Sequence, residues 1–353
     1  MRIAFARRHP YALPLVRPWV AASAILRVRS GMLVELGFGD GLAGWGDCAP
    51  LPSSGEDGHA RTFAALATTL GDLPGREAGA ALATLGAIPC PEVRWAVETA
   101  LLDAQARRAG LPLVRHLRCD APDVVPINVA LGALDSDTAA RAEAALAQGF
   151  TVAKIKLGVA GIAAEIAGLR ALAHSTAGRL RLRLDANRAW SETEAVTVLD
   201  AIADLPVDGV EEPLAAPTVG DLARLQARYD FALAVDESLP ALGAASLLAG
   251  PAVRRLVVKP ARLGGLAATL RLAAAARAAG VDMVLTSVVE SAVGVTATAH
   301  LAAALPCRAV HGLGTLGWLA ADVAPPPLSN GGALILPGGP GLGMVPFGKA
   351  SQG

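Results

Sequence analysis

The sequence has few aromatic and few charged residues, and it has no excess of either charge sign. Aromatic side chains make up only 4% and charged side chains 18% of the 353 residues, and the formal net charge is zero. Because no basic surplus is available to neutralise phosphates, neither nucleic acid nor an anionic membrane surface is expected as a partner. Hydrophobic residues reach 53%, which excludes a disordered chain, and the scarcity of aromatics leaves Ala, Leu and Val to form the core.

Cysteine is also scarce, and the four cysteines are far apart, with no CxxC pair. A disulfide framework or a zinc site is therefore not expected, and Cys48, Cys90, Cys119 and Cys307 are predicted to be reduced, buried thiols. The N-terminus lacks the apolar stretch of a signal peptide, and no apolar run reaches the ~20 residues of a membrane-spanning helix. We therefore expect a cytoplasmic protein without a membrane partner.

The pattern of apolar and polar residues changes near Pro126. Before it, the pattern predicts strands, a loop over 44–47 and 50–52, and then helices up to about Gly110. After it, apolar runs alternate with helical stretches, and eight runs read as strands: 127–131, 152–156, 182–185, 209–211, 232–236, 256–259, 283–287 and 309–312. Eight parallel βα units predict a (β/α)8 barrel, with an open doubly wound sheet as the alternative because repeats alone do not prove closure.

Charged residues end five consecutive predicted strands. They are Lys156, Asp185, Glu211, Asp236 and Lys259, separated by 29, 26, 25 and 23 residues, about one βα unit each time. In a parallel barrel the C-terminal strand ends meet on one face, which is where active sites lie. Solvation explains a single polar strand end, but five in register predict a common pocket.

Three of these residues, Asp185, Glu211 and Asp236, would supply only oxygen ligands. Converging carboxylates repel one another unless a cation neutralises them, and no His or Cys stands at the neighbouring strand ends. Hard oxygen ligands suit Mg²⁺, or Mn²⁺, better than zinc. The pattern therefore predicts a divalent-metal site.

Lys154 and Lys156 are two residues apart on one predicted strand, so alternation places both side chains on the same face. Neighbouring ammonium groups lower each other's pKa, which would let one of them act as a base near neutral pH, and a pair of solvated lysines is the alternative. Lys259 would enter from the opposite side of the pocket. Together with a metal, this arrangement predicts removal of the proton next to a substrate carboxylate and stabilisation of the resulting enediolate.

Five short motifs follow one another along the predicted barrel. They are Lys154-Ile155-Lys156, Leu184-Asp185-Ala186-Asn187-Arg188-Ala189-Trp190, Glu211-Glu212-Pro213, Asp236-Glu237-Ser238 and Val258-Lys259-Pro260. In this order they resemble the enolase superfamily and its muconate-lactonizing-enzyme subgroup, over nearly the whole chain. The resemblance implies an α+β capping domain over 1–122, a modified barrel of (β/α)7β type over 123–322, and a segment over 323–353 that packs back on the capping domain.

Within the subgroup, the runs 287–291 and 311–316 are most similar to the o-succinylbenzoate synthase family. This similarity implies syn-dehydration of 2-succinyl-6-hydroxy-2,4-cyclohexadiene-1-carboxylate, a small carboxylate, in menaquinone biosynthesis, and it is compatible with a homo-oligomer. Mg²⁺ would be held by the three carboxylates. Lys156 would take the α-proton and return it to the departing hydroxyl, while Lys154 assists electrostatically and Lys259 lies on the far face of the ring.

The same resemblance implies roles around the reacting centre. Asn187, Ser287 and Gly312 would contact the substrate, and Glu237 and Glu290 would orient the lysines. An N-succinylamino acid racemase and a dipeptide epimerase of the same subgroup remain as alternatives. The epimerase is weakened because 312–315 offers no acid for a substrate ammonium. A non-catalytic metal-binding barrel is the least expected, since all five strand-end charges are present.

Three features are set aside as structural. The GxGxxG run over 312–317 is followed by only 36 residues, too few for the rest of a dinucleotide-binding unit, and a turn near the substrate chain is the preferred interpretation. His311 is expected to be a structural histidine. Arg183 is expected to face the barrel interior beside Lys154 in a packing ion pair.

Overall fold

The structure is a computed structural model that describes residues 1–21, 24–51, 54–250, 252–307 and 309–346. The first part of the chain forms a three-stranded antiparallel sheet with helices packed on it. Its strands are β1 Ile3–Ala21, β2 Ala24–Phe38 and β3 Ala43–Cys48, paired in that order. The helices are α1 Gly55–Gly71, α2 Ala78–Thr84, α3 Pro91–Arg108 and α4 Leu113–Leu117. This is the predicted α+β capping domain; Pro52, in the predicted loop, lies outside the described residues.

The segment 44–47, predicted to be a loop, is instead the centre of strand β3. Its two glycines let the strand lie directly on helix α3. A Cβ on Gly44 would be 2.0 Å from the carbonyl oxygen of Ala100, and a Cβ on Gly46 would be 1.9 Å from that of Ala96. The glycines imitate a turn signal, but what they provide here is close approach of two backbones.

Seven parallel strands form the second sheet, and their spatial order follows the chain. They are β5 Val129–Ala133, β6 Val152–Lys156, β7 Arg181–Asp185, β8 Val207–Glu211, β9 Ala232–Val235, β10 Arg255–Val258 and β11 Asp282–Leu285. The helices of this part are α5 Thr138–Ala147, α6 Ile162–Ser175, α7 Glu192–Ala201, α8 Val219–Gln226, α9 Leu239–Leu242, α10 Ala244–Leu248, α11 Pro260–Leu263, α12 Leu266–Ala278 and α13 Ala292–Ala304. Sequential parallel strands joined by helices are the arrangement of a TIM-type barrel.

The eighth predicted strand, 309–312, is reduced to two paired residues. His311 forms a parallel bridge with Ile127, just before β5, and Gly312 forms one with Thr286, just after β11. A backbone hydrogen bond accompanies each bridge. The segment thereby links the first and last strands, so the fold is the modified (β/α)8 barrel and not the open doubly wound sheet.

The C-terminal segment crosses from the barrel to the capping domain. Strands β12 Leu328–Asn330 and β13 Ala333–Ile335 pair with β4 Val124–Pro126 in a small antiparallel sheet. Further along, the Leu342 N–H donates to the carboxylate of Asp103 in α3, and the Met344 carbonyl accepts from Arg107 of the same helix. Helix α3 therefore contacts β3 on one side and the end of the chain on another.

The cysteines are free but differ in burial. Cys48 is buried in β3 and Cys90 is half-buried, whereas Cys119 and Cys307 are exposed. The prediction of buried thiols is therefore wrong for the last two, because each lies in a connection just after a helix and not in the core. Across the part of the chain that the structure describes, no helix combines the length and the apolar character needed to cross a bilayer.

Replacing Gly46 with Ala is expected to destabilise the protein by about 1–3 kcal/mol, because the new methyl group would overlap the Ala96 carbonyl and push β3 off α3. Chemical denaturation measures the change. Gly79→Ala in α2 is the matched control: Gly79 is exposed, a Cβ there meets nothing within 4 Å, and the change should stabilise the helix by about 0.5–1 kcal/mol. Equal stability of the Gly46→Ala variant and the parent would contradict this account of the strand.

Candidate active site

The five strand-end charges converge at one end of the barrel. Lys156, Asp185 and Glu211 are the last residues of β6, β7 and β8, and they are side by side in the parallel register. Asp236 and Lys259 come directly after β9 and β10. Because neighbouring parallel strands end at the same level, all five side chains belong to one rim of the barrel.

Lysine is rare in this chain and is concentrated at this rim. Only four of the 31 basic residues are lysines, and all the others are arginines. Three of the four, Lys154, Lys156 and Lys259, lie on β6 or just after β10, and Lys349 lies outside the described residues. The basic residues on the rest of the described surface are therefore arginines. This distribution weakens the interpretation of Lys154 and Lys156 as ordinary solvated lysines.

The carboxylates and two of the lysines form direct ion pairs. The Lys154 Nζ lies 2.8 Å from Asp185 Oδ2 and 2.8 Å from Glu211 Oε2, so it joins two strands. The Lys259 Nζ contacts Asp236 Oδ2. The rim thus carries carboxylates on three consecutive strands, β7 to β9, with lysines on the flanking strands β6 and β10.

These contacts correct one prediction about the lysine pair. Burial alone would lower the pKa of Lys154, but the adjacent carboxylates of Glu211 and Asp185 outweigh burial and raise that pKa above its ordinary value. Lys154 is therefore held as an ammonium by its acidic neighbours and is not discharged by Lys156. Lys156 is exposed, and within the described chain it forms no ion pair.

The acidic groups are crowded enough to share a cation. One carboxylate oxygen from each of Glu211, Asp236 and Glu237 lies within 4.8 Å of the others. Burial, followed by the charge of Glu211, raises the pKa of Asp185, and burial together with the charge of Asp236 raises the pKa of Glu237 to about 7. Raised carboxyl pKa values of this origin mark a site with surplus negative charge, and an oxygen-only donor set of this kind fits Mg²⁺ or Mn²⁺.

Backbone contacts hold the carboxylates in place. The Asn187 N–H donates to Asp185 Oδ1 over 3.1 Å, and Asn187 adopts a left-handed backbone with a φ of +46°. Asn187, which was predicted to contact the substrate, therefore forms a hydrogen bond with the predicted metal ligand Asp185. Sequence reasoning missed Glu212, which is buried and accepts hydrogen bonds from the loop that carries Asp236. The doublet Glu211-Glu212 was the available signal.

The predicted substrate contacts lie on the loops after the last strands. The Ser287 Oγ lies 2.9 Å from the Thr315 Oγ1 and also accepts the Val289 N–H. Gly312 pairs with Thr286, and a Cβ there would be 2.9 Å from the Thr286 Oγ1. The two loops are therefore joined through hydroxyl groups, one of which, on Thr315, was not predicted.

Glu290 does not lie among the lysines, contrary to the prediction that it orients one of them. Its Oε2 accepts the Val288 N–H, and its charged neighbours are Asp47 and Arg29 of the capping domain. Burial, and after it the charge of Asp47, raises the pKa of Glu290 to about 8. The loop after β11 bends toward the capping domain, and this turns Glu290 to that side.

The same loop is clamped by the capping domain. The Asp47 Oδ2 accepts both the N–H and the Oγ–H of Ser291, at 3.0 and 2.7 Å. The fully buried Arg29 donates from Nε to the carbonyl of Val289, a β-branched residue with a φ of +59°. The capping domain thus fixes the loop on which Ser287 lies.

Arg183, His311 and the GxGxxG run, which were interpreted above as structural features, are placed as follows. Arg183 lies inside the barrel, where its Nε donates to Asp208 over 2.9 Å. His311 is buried, its Nδ1 accepts the Leu285 N–H, and burial lowers its pKa to about 3, so it stays neutral. The GxGxxG run leads into a three-residue 3₁₀ turn, Leu316–Trp318, and not into a helix that could bind a dinucleotide.

Two family models match most of the chain. The model described as mandelate racemase/muconate lactonizing enzyme, N-terminal domain, matches residues 7–117. The model described as enolase C-terminal domain-like matches residues 137–349.

Relatives with different activities are similar to the chain to a comparable degree. A muconate cycloisomerase of Acinetobacter lwoffii is 31% identical, over 94% of this chain and 90% of its own. An o-succinylbenzoate synthase of Thermobifida fusca is 32% identical, over 86% of this chain and 80% of its own. The structure of a dipeptide epimerase from Methylococcus capsulatus complexed with Mg and the dipeptide L-Arg-D-Lys has 30% identity and a TM-score of 0.85, over 98% of this chain and 100% of its own. The similarity in sequence and fold therefore does not distinguish among the activities that these relatives are named for.

Glu290 should make stability fall as pH rises. Its pKa of about 8 exceeds the ordinary glutamate value of 4.5, so between these values the unfolded chain loses the proton and the folded chain keeps it. The loss of stability from pH 5 to pH 8 due to Glu290 is about 3 kcal/mol. Denaturation of the Glu290→Gln variant should show a correspondingly shallower decline over this interval.

The exposed Glu194 provides the control for this measurement. Its pKa is lowered by hydrogen bonds from Ser191 at the start of α7, so its contribution is already complete above its ordinary pKa. Glu194→Gln should therefore shift stability by a nearly constant amount from pH 5 to pH 8. A Glu290→Gln variant that declines as steeply as the parent would show that Glu290 is ionised in the folded protein.

Proposed function

Because the chain belongs to the enolase superfamily, in its muconate-lactonizing-enzyme subgroup, we propose that it removes the α-proton of a small carboxylate substrate. More specifically, we propose the syn-dehydration of 2-succinyl-6-hydroxy-2,4-cyclohexadiene-1-carboxylate to o-succinylbenzoate, a step of menaquinone biosynthesis. The observation that carries the proposal is the meeting of three lysines with a group of carboxylates on one rim of the barrel.

Asp185, Glu211 and Asp236 would hold the divalent cation, with Glu237 beside them. Two of these carboxylates, Asp185 and Glu211, already attract the Lys154 ammonium. A cation and that ammonium would compete for the same oxygens. When bound, Mg²⁺ would supply positive charge next to the substrate carboxylate, where negative charge develops as the α-proton leaves.

Lys156 is assigned the proton transfers because it is exposed and outside the ion pairs of the rim. As a neutral amine it would accept the proton from ring carbon C1, and the electron pair of the C–H bond would move into the carboxylate to give the enediolate. The electrons would then return to form the C1–C6 double bond as the C6–O bond breaks. The Lys156 ammonium would protonate the departing hydroxyl on the same face, so that water leaves and the ring becomes aromatic.

Lys154 and Lys259 would remain charged throughout. Lys154 is adjacent to Asp185 and Glu211, and the negative charge of these two groups would keep it an ammonium beside the reacting carboxylate and not a base. Lys259 comes from β10, four strands away from β6, and would face the other side of the substrate ring. An ammonium over the ring face is favourable to a conjugated π-system.

The choice of a succinyl-bearing substrate rests on the loops after β11 and at the eighth strand. The run 311–318 contains no acid that could pair with a substrate ammonium, as a dipeptide epimerase would need. The hydroxyls of Ser287 and Thr315 are 2.9 Å apart, and the one that does not donate to the other would be available to donate to a carbonyl or carboxylate oxygen of the substrate. The relatives support the class of chemistry, and these two loops support the choice within it.

Substituting Lys156 should abolish dehydration. Lys156→Ala removes the proposed base, and Lys156→Arg keeps the positive charge but replaces the amine with a guanidinium that does not give up its proton. Both variants are expected to lower kcat by about 10²–10⁴-fold or more, measured by the ultraviolet absorbance of the aromatic product, with unchanged circular dichroism. Retained turnover by Lys156→Arg would assign Lys156 an electrostatic role and would move the base elsewhere.

A second assay separates dehydration from racemisation. The purified protein is incubated with an N-succinyl-L-amino acid and, separately, with L-Ala-L-Glu in D₂O, and the α-proton is followed by NMR. The proposal expects faster turnover of the cyclohexadiene carboxylate than of either. A higher kcat/KM for the N-succinylamino acid would replace the proposed reaction with racemisation, and turnover of none of the three would favour a non-catalytic barrel.

Removing the divalent cation should stop the reaction while leaving the fold in place. EDTA is expected to reduce dehydration to background, and added Mg²⁺ or Mn²⁺ is expected to restore it, because the enediolate then has its counter-charge. Added Ca²⁺ tests geometry, since it prefers longer bonds of about 2.3–2.6 Å and should restore less activity. Full activity in EDTA would require another purpose for the carboxylates.

A further inference from the structure

Glu212 is a buried glutamate that follows the predicted metal ligand Glu211 at the end of β8. It is 1% exposed and has a left-handed backbone, with a φ of +49°. This conformation is unfavourable for non-glycine residues, and they adopt it where surrounding contacts enforce it. No ion pair to Glu212 exists in the chain as far as the structure describes it, so its contacts are hydrogen bonds.

All side-chain hydrogen bonds of Glu212 go to the loop after β9. Its Oε1 accepts the N–H groups of Asp236 and Ser238, both over 2.7 Å, and its Oε2 accepts the Ser238 hydroxyl over 2.6 Å. Donors to an ionised carboxylate form short, strong hydrogen bonds. One carboxylate thus fixes both ends of the Asp236–Ser238 stretch, which includes the acidic residues Asp236 and Glu237.

The backbone of Glu212 reaches the loops on both sides. Its N–H donates to the carbonyl of Ala234 in β9 over 2.9 Å, and its carbonyl accepts the N–H of Arg188 over 2.7 Å. Arg188 is three residues after Asp185 and is itself left-handed, with a φ of +61°. Glu212 therefore connects the C-terminal ends of β7, β8 and β9, at or just after which Asp185, Glu211 and Asp236 lie.

We propose that Glu212 is a positioning residue for the metal site: it sets the distances between carboxylates on three strands by anchoring the loops that carry them. This inference rests on the proposed function, because it takes these carboxylates as ligands. Mg²⁺ requires a near-octahedral arrangement at about 2.0–2.1 Å, so a loosened ligand loop weakens its binding. Loss of a residue that orients metal ligands costs about 10–100-fold in metal affinity.

The test compares four variants by direct Mg²⁺ titration of the purified protein, using calorimetry and the Mg²⁺-induced rise in melting temperature. Glu212→Ala removes both acceptor oxygens, and with them three hydrogen bonds, and should raise the Mg²⁺ Kd by about 10–100-fold. Glu212→Gln keeps one oxygen for the two N–H groups, and its amide can donate to the Ser238 hydroxyl, so its Kd should be within about threefold of the parent's. Ser238→Ala removes a single contact and should fall between them.

The matched control is Glu165, a second buried glutamate with the same kind of contacts on another loop. Its carboxylate accepts the N–H groups of Gly158, Val159 and Ala160 after β6, at 2.9–3.1 Å, and it is 3% exposed. Glu165→Ala removes a comparable set of hydrogen bonds and should lower the melting temperature without Mg²⁺. Its Mg²⁺ Kd should nevertheless stay within about threefold of the parent's, which separates positioning of the ligands from general destabilisation.

The outcomes distinguish this inference from the proposed function. A Glu212→Ala variant that binds Mg²⁺ like the parent overturns the positioning role and leaves the metal site intact. The same loss in Glu165→Ala as in Glu212→Ala also overturns it, because the effect would then be one of stability. A parent protein with no saturable Mg²⁺ binding overturns the metal site itself, and with it both conclusions. If Glu212→Ala fails to fold, the Glu212→Gln and Ser238→Ala affinities decide, and a Ser238→Ala affinity equal to the parent's counts against the role.

Discussion

Electrostatic repulsion among the carboxylates at the barrel rim is the constraint to which the rest of the structure responds. Asp185 and Glu211 end neighbouring strands and are partners in the sheet register, so the fold holds two negative groups together. Burial and then the charge of Glu211 raise the pKa of Asp185, although the ammonium of Lys154 acts in the opposite direction. Lys154 and Lys259 supply positive charge from the two flanks. Such a rim is poised to exchange ammonium contacts for a metal ion.

A second layer of contacts makes this repulsive arrangement tolerable. The carboxylates cannot separate freely, because backbone groups hold the loops on which they lie. The Asn187 N–H anchors Asp185, and Glu212 anchors the stretch that begins at Asp236. Both anchoring residues have left-handed backbones, so the loops turn sharply as soon as the strands end. Rigid loops keep the electrostatic strain at the rim, where a cation can relieve it, and do not let it dissipate by loop movement.

The barrel and the capping domain divide the work of the site. The groups proposed for acid–base chemistry and metal binding are on the barrel strands, whereas the loop that carries Ser287 is held from the other side by Asp47 and Arg29. The proposed function would thereby place substrate recognition where the two parts meet. Relatives of comparable similarity are a muconate cycloisomerase, an o-succinylbenzoate synthase and a dipeptide epimerase, so similarity to this chain does not follow a single reaction.

The chain by itself determined the features that depend on spacing along the backbone. The intervals of 23 to 29 residues between strand-end charges follow from the length of one βα unit, and they predict that Lys156, Asp185 and Glu211 share one rim. The tertiary structure decided which groups touch. It turned 44–47 into a strand because α3 lies against its glycines, and it held Lys154 as an ammonium between two carboxylates. It also drew Glu290 toward Asp47, because the adjacent Ser291 bonds a residue 244 positions away. The periodic pattern of strands and helices depends on residues that are close together in the sequence. The contact partner of each side chain depends on which distant segments pack together.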